Sequence, residues 1–168
     1  VPIMSRTGHS FIKAKLKETG AALGGEMSGH IFFKERWYGF DDALYTGARL
    51  LEILSKTDKT CAEVFAGLPD SINTPEINIH FDKQGQQYEA MDKLANTADF
   101  PDAQITTIDG VRVDYADEKH WGWGLVRSSN TTPCLVLRFE ASSQQMLNEI
   151  QDKFRTWLGN NNISTKNF

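Results

Sequence analysis

Two segments in the first third of the chain have apolar residues at helical spacing. Residues 10–19 carry apolar side chains every three or four positions among lysines, and residues 41–55 repeat the pattern with a longer stripe that includes Leu44 and Leu51. Such spacing predicts amphipathic helices. Two aspartates begin the second segment, where acidic residues are favourable because they lie near the amino-terminal end of a helix.

A glycine-rich loop, GGEMSGH at residues 24–30, separates two short apolar segments at 21–25 and 30–36. Glycine tolerates backbone conformations that other residues avoid, so we expect a turn between two strands, with its polar side chains displayed. The turn offers the carboxylate of Glu26, the hydroxyl of Ser28 and an imidazole. A carboxylate accepts hydrogen bonds from two neighbouring hydroxyls, and a serine hydroxyl both donates and accepts. This set of groups predicts a site for a polyhydroxylated ligand such as a sugar.

A change of composition at residues 57–70 predicts a domain boundary, because Gly67-Leu68-Pro69 is typical of a connector that follows a short helical turn. We place the boundary between residues 1–68 and residues 69–168. Beyond it, the patterns predict helices at 86–98 and 142–158 and strands at 76–81, 122–127, 134–140 and 105–113, the last interrupted at Asp109-Gly110. This order predicts an α+β domain with a mainly antiparallel sheet and helices packed on one face. The polar residues 159–168 are expected to be frayed.

Composition narrows the classes of function. A chain of 168 residues with 40% hydrophobic residues has enough apolar side chains for one domain or two small ones. A net charge of −4 argues against a nucleic-acid partner, because binding to phosphodiesters needs an excess of Lys and Arg. No apolar run approaches the length that spans a membrane. Cys61 and Cys134 lie far apart, with no CxxC spacing and no Cys/His cluster at zinc spacing, so we expect two reduced thiols in a cytoplasmic protein.

A second cluster of polar residues, RSSNTTP at 127–133, lies between two predicted strands. Arginine offers a planar pair of donors to phosphate or carboxylate oxygens, and hydroxyl, amide and loop N–H groups add directed donors. The cluster therefore predicts a phosphate-binding loop. A polar turn whose side chains satisfy their own backbone is the alternative that these residues leave open.

Three segments together resemble the bacterial phosphomannomutase/phosphoglucomutase branch of the α-D-phosphohexomutase family: GEMSGH, the following FFKERWYGFDDALYTGARLLEIL, and RSSNTTP. The resemblance covers nearly the whole chain. It implies that residues 1–68 are an α/β segment, the end of a mixed-sheet α/β/α third domain that bears the sugar-binding loop. It also implies that residues 69–168 are the carboxy-terminal fourth domain, which bears the phosphate-binding loop.

The resemblance implies roles for four side chains of the first domain. Glu26 and Ser28 match the family's pair that holds the 3- and 4-hydroxyls of the sugar. His9 and His30 match cleft histidines that assist in proton handling or positioning. The residues alone also allow either histidine a structural role, because an imidazole can serve in many ways.

In the second domain, the resemblance implies a clamp for the substrate phosphate that is not being transferred, formed by Arg127, Ser129, Asn130 and Thr131. The implied enzyme is an isomerase that interconverts mannose and glucose 1- and 6-phosphates. In the full-length enzyme the reaction uses Mg²⁺ and passes through a hexose 1,6-bisphosphate, which also acts as an activator.

The chain departs from the family pattern in one respect. No segment resembles the TASHNP-type phosphoserine loop or the DGD-type magnesium loop. We therefore expect a carboxy-terminal fragment that has no metal site of its own, is inactive alone and needs the amino-terminal domains of the same enzyme. Phosphoryl transfer depends on positioning and on cationic stabilisation that the remaining residues cannot supply.

Two alternatives remain open at the level of sequence. The chain could be a stand-alone, non-catalytic module that binds a sugar phosphate, which the missing loops permit. It could also belong to a related hexosamine-phosphate mutase, in which the sugar loop is expected to differ around Met27.

Overall fold

The computed structural model describes residues 1–166 and 168, and the chain divides into two compact units, Val1–Pro69 and Asp70–Phe168. Unit 1 contains three helices and a two-stranded antiparallel hairpin. Its elements are α1 (His9–Thr19), β1 (Leu23–Gly25), β2 (Ile31–Phe33), α2 (Ala43–Leu54) and α3 (Cys61–Phe65). The two predicted helices and the two predicted strands around the glycine-rich loop are confirmed.

Unit 1 has a small core. Ile12 and Leu16 of α1 and Phe32 of β2 are its buried apolar residues. Gly24 allows the hairpin to approach α1 closely, because a Cβ atom there would lie 2.7 Å from Cγ2 of Ile12. The hairpin is therefore held directly against α1.

Helix α2 is capped at its amino-terminal end by the residue that precedes it, Asp42. The side chain of Asp42 accepts a hydrogen bond from the backbone N–H of Tyr45, which stabilises the amino-terminal end of the helix. The predicted apolar stripe is present, but it is exposed in unit 1: Leu44 is 90% exposed and Leu51 is 67% exposed. The helical pattern thus predicted the element correctly, and unit 1 alone does not bury the stripe.

Unit 2 is built on a fully antiparallel sheet. Its strands are β3 (Ile72–Asn73), β4 (Ile77–His80), β5 (Gln104–Thr106), β6 (Val111–Ala116), β7 (Trp121–Ser128) and β8 (Cys134–Ala141). Their order in the sheet is β3-β8-β7-β6-β5, with β4 also paired to β8. The sequence pattern did not predict β3, which has only two residues. The predicted segment 105–113 becomes β5 and β6, separated by a turn.

Two helices, α4 (Gln86–Asn96) and α5 (Gln144–Asn160), pack on one face of this sheet. They form one apolar core with the inward side chains of β6, β7 and β8. The inner face of β7 carries Gly122 and Gly124, where a Cβ atom would lie 2.6 Å from Ile150 and from Phe154, respectively. Side chains of α5 therefore occupy the volume that these two strand positions leave empty. The predicted α+β fold with helices on one face is confirmed.

The expectation of a frayed carboxy-terminal tail is wrong at two described residues. Asn161 is buried, and its backbone N–H donates to the carbonyl oxygens of Trp157 and Leu158. The ring of Phe168 stacks on Phe139 with a centroid distance of 5.0 Å. Polar composition suggested exposure, whereas an aromatic residue at the end of the segment packs on the domain. Asn167, which the expectation also covered, lies outside the described residues.

Helix length bears on membrane insertion. The longest helix, α5, has 17 residues, and none of the helices within residues 1–166 is both long and apolar enough to cross a bilayer.

Candidate functional site

The glycine-rich loop of unit 1 is a tight turn between β1 and β2. The N–H of Glu26 donates to the carbonyl oxygen of His30 at 2.9 Å, and the N–H of Gly29 donates to the carbonyl oxygen of Glu26 at 3.0 Å. Gly29 has a φ of 92°, a conformation that favours glycine. The turn leaves the side chain of Ser28 exposed at its tip.

Glu26 is held by a contact outside the loop. Its Oε1 atom accepts a hydrogen bond of 2.7 Å from the backbone N–H of Gly8, the residue that precedes α1. A carboxylate is favourable there, because the first N–H groups of a helix have no partner within the helix. Within residues 1–166 and 168, no hydrogen bond engages Oε2. That oxygen can therefore accept from a ligand hydroxyl.

His30 is held by a residue that the sequence did not single out as part of the site. Its Nδ1 atom lies 2.5 Å from Oδ2 of Asp41, and Oδ1 of the same carboxylate accepts from the N–H of Ile31 at 3.2 Å. Asp41 was recognised only as an acidic residue near the start of α2. Its contact with His30 depends on an isolated β-bridge between Phe32 and Asp41, which sequence spacing does not reveal.

His9 is the first residue of α1 and is exposed. In the part of the chain that the structure describes, its imidazole forms no hydrogen bond or ion pair. The structure thus brings Glu26 to the helix end that carries His9, and it couples His30 to Asp41.

The polar loop of unit 2, residues 127–133, joins β7 to β8. Ser129 is 7% exposed, and its N–H donates to the carbonyl oxygen of Cys134 at 2.9 Å. Its hydroxyl oxygen accepts from the N–H groups of Thr131 at 3.3 Å and Thr132 at 3.2 Å. Ser129 therefore organises the loop from within.

Three other residues of this loop have groups available to a ligand. Arg127 is half-buried, and its guanidinium donates a long hydrogen bond of 3.4 Å to the carbonyl oxygen of Ser128. It takes part in none of the salt bridges formed by the described residues. Asn130 and Thr131 are exposed.

Two residues outside the loop support it. Gly110 has a φ of 78°, and a Cβ atom there would lie 2.1 Å from the carbonyl oxygen of Val126 and 2.7 Å from Cα of Arg127. Gln87 is fully buried, accepts from the N–H of Gly85 at 2.9 Å and directs its amide nitrogen to the carbonyl oxygen of Ser129 at 3.5 Å. The pattern around Gly110 predicted an interruption of a strand, but nothing in the pattern indicated a buried Gln87.

No resident metal site is apparent in the described part of the chain. Within residues 1–166 and 168, no group of three or more His, Cys, Asp or Glu side chains could hold an ion. The polar groups of unit 1 can form hydrogen bonds with ligand hydroxyls, and those of the loop in unit 2 can donate hydrogen bonds to an oxyanion.

Comparisons with known proteins find two family models that match consecutive parts of the chain. Residues 1–72 match the family model described as phosphoglucomutase/phosphomannomutase, alpha/beta/alpha domain III, and residues 76–156 match the model of the C-terminal domain. The first match agrees with the predicted fold class of the first segment.

Several relatives are similar over almost the whole chain. A phosphomannomutase/phosphoglucomutase of Pseudomonas putida is 60% identical over 93% of the chain and 33% of the relative. A phosphoglucomutase of Neisseria meningitidis is 55% identical over 95% of the chain and 34% of the relative. A crystal structure of a phosphoglucomutase/phosphomannomutase family protein from Burkholderia thailandensis aligns with a TM-score of 0.84 and 54% identity, covering 96% of the chain and 33% of that protein.

The chain thus spans about a third of the length of the relatives that it matches. The two family models, which describe two domains of one family, together extend from residue 1 to residue 156. The resemblance inferred from the sequence motifs is confirmed, and the chain belongs to the phosphoglucomutase/phosphomannomutase family.

Proposed function

We propose that the protein acts in the interconversion of hexose 1-phosphates and hexose 6-phosphates, and that this chain supplies the sugar-binding and phosphate-binding loops. The observation that carries the proposal is the similarity to phosphomannomutase/phosphoglucomutase enzymes at 54–60% identity over more than nine-tenths of the chain. The chain carries no phosphoserine or magnesium motif. The proposal therefore places the phosphoryl donor and Mg²⁺ on parts of the enzyme outside these residues, in the cytoplasm.

In the proposed complex, Glu26 and Ser28 hold the 3- and 4-hydroxyls of the sugar. Support comes from the available Oε2 atom of Glu26, whose other oxygen is anchored on Gly8, and from the exposure of Ser28. Glucose and mannose share these hydroxyls and differ at the 2-hydroxyl. The same pair of side chains therefore accepts both sugars.

The phosphate that is not being transferred is proposed to lie at the loop of residues 127–133. Arg127 supplies charge-assisted hydrogen bonds, and Asn130 and Thr131 add neutral donors. Ser129 contributes mainly by holding the loop amides in place, since its hydroxyl oxygen already accepts from two of them. The phosphate is thus bound by groups that the loop keeps oriented.

Proton transfer is assigned to the histidines of unit 1. When a sugar hydroxyl attacks phosphorus, its O–H bond breaks as the new O–P bond forms, and the bond from phosphorus to the donor oxygen breaks. An imidazole nitrogen accepts the released proton and can return it when the sugar is turned for the second transfer. Either His9 or His30 has the chemistry for this step.

Steady-state kinetics of the complete enzyme on glucose 1-phosphate and mannose 1-phosphate test the assignment. Arg127→Ala should lower kcat/KM for both substrates by about tenfold to a hundredfold, because a hydrogen bond to a charged group contributes about 1.5–3 kcal/mol. Glu26→Ala should also affect both sugars equally. Arg138→Ala, which removes an arginine from neighbouring β8 outside the loop, is the matched control and should leave both values within twofold.

Two results would contradict the assignment. A Glu26→Ala enzyme that lost activity on only one sugar would show that Glu26 contacts the distinguishing hydroxyl. An Arg127→Ala enzyme with unchanged kinetics would favour the polar-turn interpretation of residues 127–133. Circular dichroism of each variant shows that the fold is retained.

A further inference from the structure

We propose that Asp41 is a positioning residue that holds His30 in one tautomer, with the proton on Nδ1, so that Nε2 is the atom that accepts a proton. The inference rests on the proposed function for its consequence in the reaction. The geometry that carries it belongs to unit 1 alone.

The contact between Asp41 and His30 is specific in its atoms. Oδ2 of Asp41 meets Nδ1 of His30, and Oδ1 accepts from the backbone N–H of Ile31. Both oxygens of one carboxylate are therefore used on two consecutive residues at the start of β2. This arrangement fixes the ring of His30 with respect to the strand that carries it.

The backbone holds both partners in place. Asp41 forms a β-bridge with Phe32, whose side chain is fully buried, and the N–H of the following Asp42 donates to the carbonyl oxygen of Ile31 at 3.3 Å. The carbonyl oxygen of His30 accepts from the N–H of Glu26. The pair thus does not depend on two free side chains meeting in solvent.

The pair contributes little to stability, which favours a role in orientation. The side chains of His30 and Asp41 are 53% and 35% exposed, and exposed ion pairs contribute little to stability. The effect on the tautomer does not depend on that energy being large. An ionised carboxylate has no proton to donate, so the ring nitrogen beside it must be the protonated one in the neutral imidazole.

The consequence for the proposed reaction concerns which nitrogen is basic. With Nδ1 protonated and bonded to Asp41, Nε2 keeps its lone pair and can accept the proton of a sugar hydroxyl. The imidazolium formed in that step is then stabilised by the same carboxylate. His9 has no carboxylate partner among the residues that the structure describes, so the inference assigns the proton acceptor to His30.

Nuclear magnetic resonance of the full 168-residue chain tests the tautomer directly. Two-bond ¹H–¹⁵N correlations, recorded where both imidazoles are neutral, distinguish a protonated ring nitrogen from an unprotonated one. In the wild-type chain, Nδ1 of His30 should show the shift of a protonated nitrogen and Nε2 that of an unprotonated one. His9 is the internal control and should show no such preference for Nδ1–H.

Substitution of Asp41 should change this pattern. In Asp41→Asn, the amide oxygen can still accept from Ile31, which turns the NH₂ group toward His30 and should make Nε2–H the main tautomer. Asp41→Ala should remove the preference for Nδ1–H without supplying a donor. Amide shifts of β1, β2 and α2 show whether unit 1 retains its fold in each variant.

The complete enzyme adds a second measurement. Asp41→Asn should lower kcat by about a hundredfold for both sugars, within the contribution expected of a positioned acid–base group, and it should leave KM within about threefold. Asp58→Asn, a change at an exposed residue outside the site, should leave kcat unchanged.

The inference is overturned if His30 of the wild-type chain is mainly Nε2–H, or if neither substitution alters its tautomer. It is also overturned if Asp41→Asn switches the tautomer but retains full kcat. Failure of the proposed function is a separate result, because a complete enzyme without mutase activity leaves the tautomer measurement on the chain unaffected.

Discussion

The polar side chains of the two candidate ligand loops are held in different ways. In the turn at residues 24–30, the side chains of Glu26 and His30 are held from outside the turn, by Gly8 before α1 and by Asp41 before α2. The loop at residues 127–133 is fixed mainly from within, because the hydroxyl oxygen of Ser129 accepts from two amides of its own loop. A ligand loop that depends on distant segments is sensitive to changes in them, whereas a self-organised loop depends on its own residues and on the strands that it joins.

The same contrast appears in the cores of the two units. Unit 1 buries only the apolar residues Ile12, Leu16 and Phe32. The described residues of unit 2 form a single core with seventeen buried apolar members, most of them from the sheet and from α5. Hydrophobic burial is the main favourable term in folding. We therefore expect the stability of the chain to depend mainly on unit 2.

The largest expected effect is in the core of unit 2. Phe154→Ala removes a fully buried ring that contacts Phe139 and Phe100, and it should lower the free energy of unfolding of unit 2 by about 3–5 kcal/mol. Leu51→Ala, on the exposed stripe of α2, should change stability by less than about 0.5 kcal/mol. Denaturant titrations followed by amide signals from each unit measure both effects. An equal loss for Leu51→Ala would mean that its side chain is buried in solution.

A smaller effect is expected at the turn beside Arg127. Gly110→Ala places a Cβ atom against the carbonyl oxygen of Val126, in a left-handed conformation, and it should destabilise unit 2 by about 1–3 kcal/mol. Because the strained atoms adjoin Arg127, inorganic phosphate should also bind more weakly. Gly85→Ala is the matched control, since Gly85 has a φ of 103° but no atom within 4 Å of its Cβ position. Equal losses in the two variants would show that backbone conformation alone is responsible.

The smallest effect is electrostatic and belongs to unit 1. Hydrogen bonds from Lys56 and then Arg36 lower the pKa of Glu52 from 4.5 to about 2. A carboxylate with a lowered folded pKa stabilises the fold above about pH 4.5, and this stabilisation is lost as the pH falls toward 2. The group is near the surface, so the contribution should be small and sensitive to salt.

Titration of side-chain carboxyl ¹³C shifts measures this pKa directly. Lys56→Ala should raise the pKa of Glu52, because it removes the hydrogen bond that lowers this pKa most. Lys59 lies three residues after Lys56 and forms none of the salt bridges around Glu52. Lys59→Ala should therefore leave the pKa of Glu52 unchanged. A pKa of Glu52 that responded equally to both substitutions would indicate a general effect of charge.

Much of the fold could be predicted from periodicity. Apolar residues recur on one face, at helical or strand spacing, in six elements: α1, α2, α4, α5, β7 and β8. The two-residue β3 could not be predicted, because it exists only through its pairing with β8. The packed Phe168 was missed for a similar reason, since its burial depends on Phe139 in a distant strand.

Residues of the candidate site could be proposed from the sequence where one loop holds all of its groups. Glu26, Ser28 and His30 lie on one turn, and Arg127 and Asn130 lie on another, so composition and family resemblance were enough to propose them. The supporting residues Asp41, Gln87 and Gly110 contact these loops across elements that are distant in sequence. A single sequence does not show which of its aspartates or glycines will meet a given loop after folding.

The two glycines on the inner face of β7 have a consequence for sequence change over time. Ile150 and Phe154 occupy the places that side chains at 122 and 124 would fill. Substitutions at these positions are therefore expected to be coupled in evolution, because a larger residue on the strand is accommodated only with a smaller one on the helix. Along this line of contact, we expect β7 and α5 to keep their combined side-chain volume as their sequences change, even though more than twenty residues separate the contacting positions in the chain.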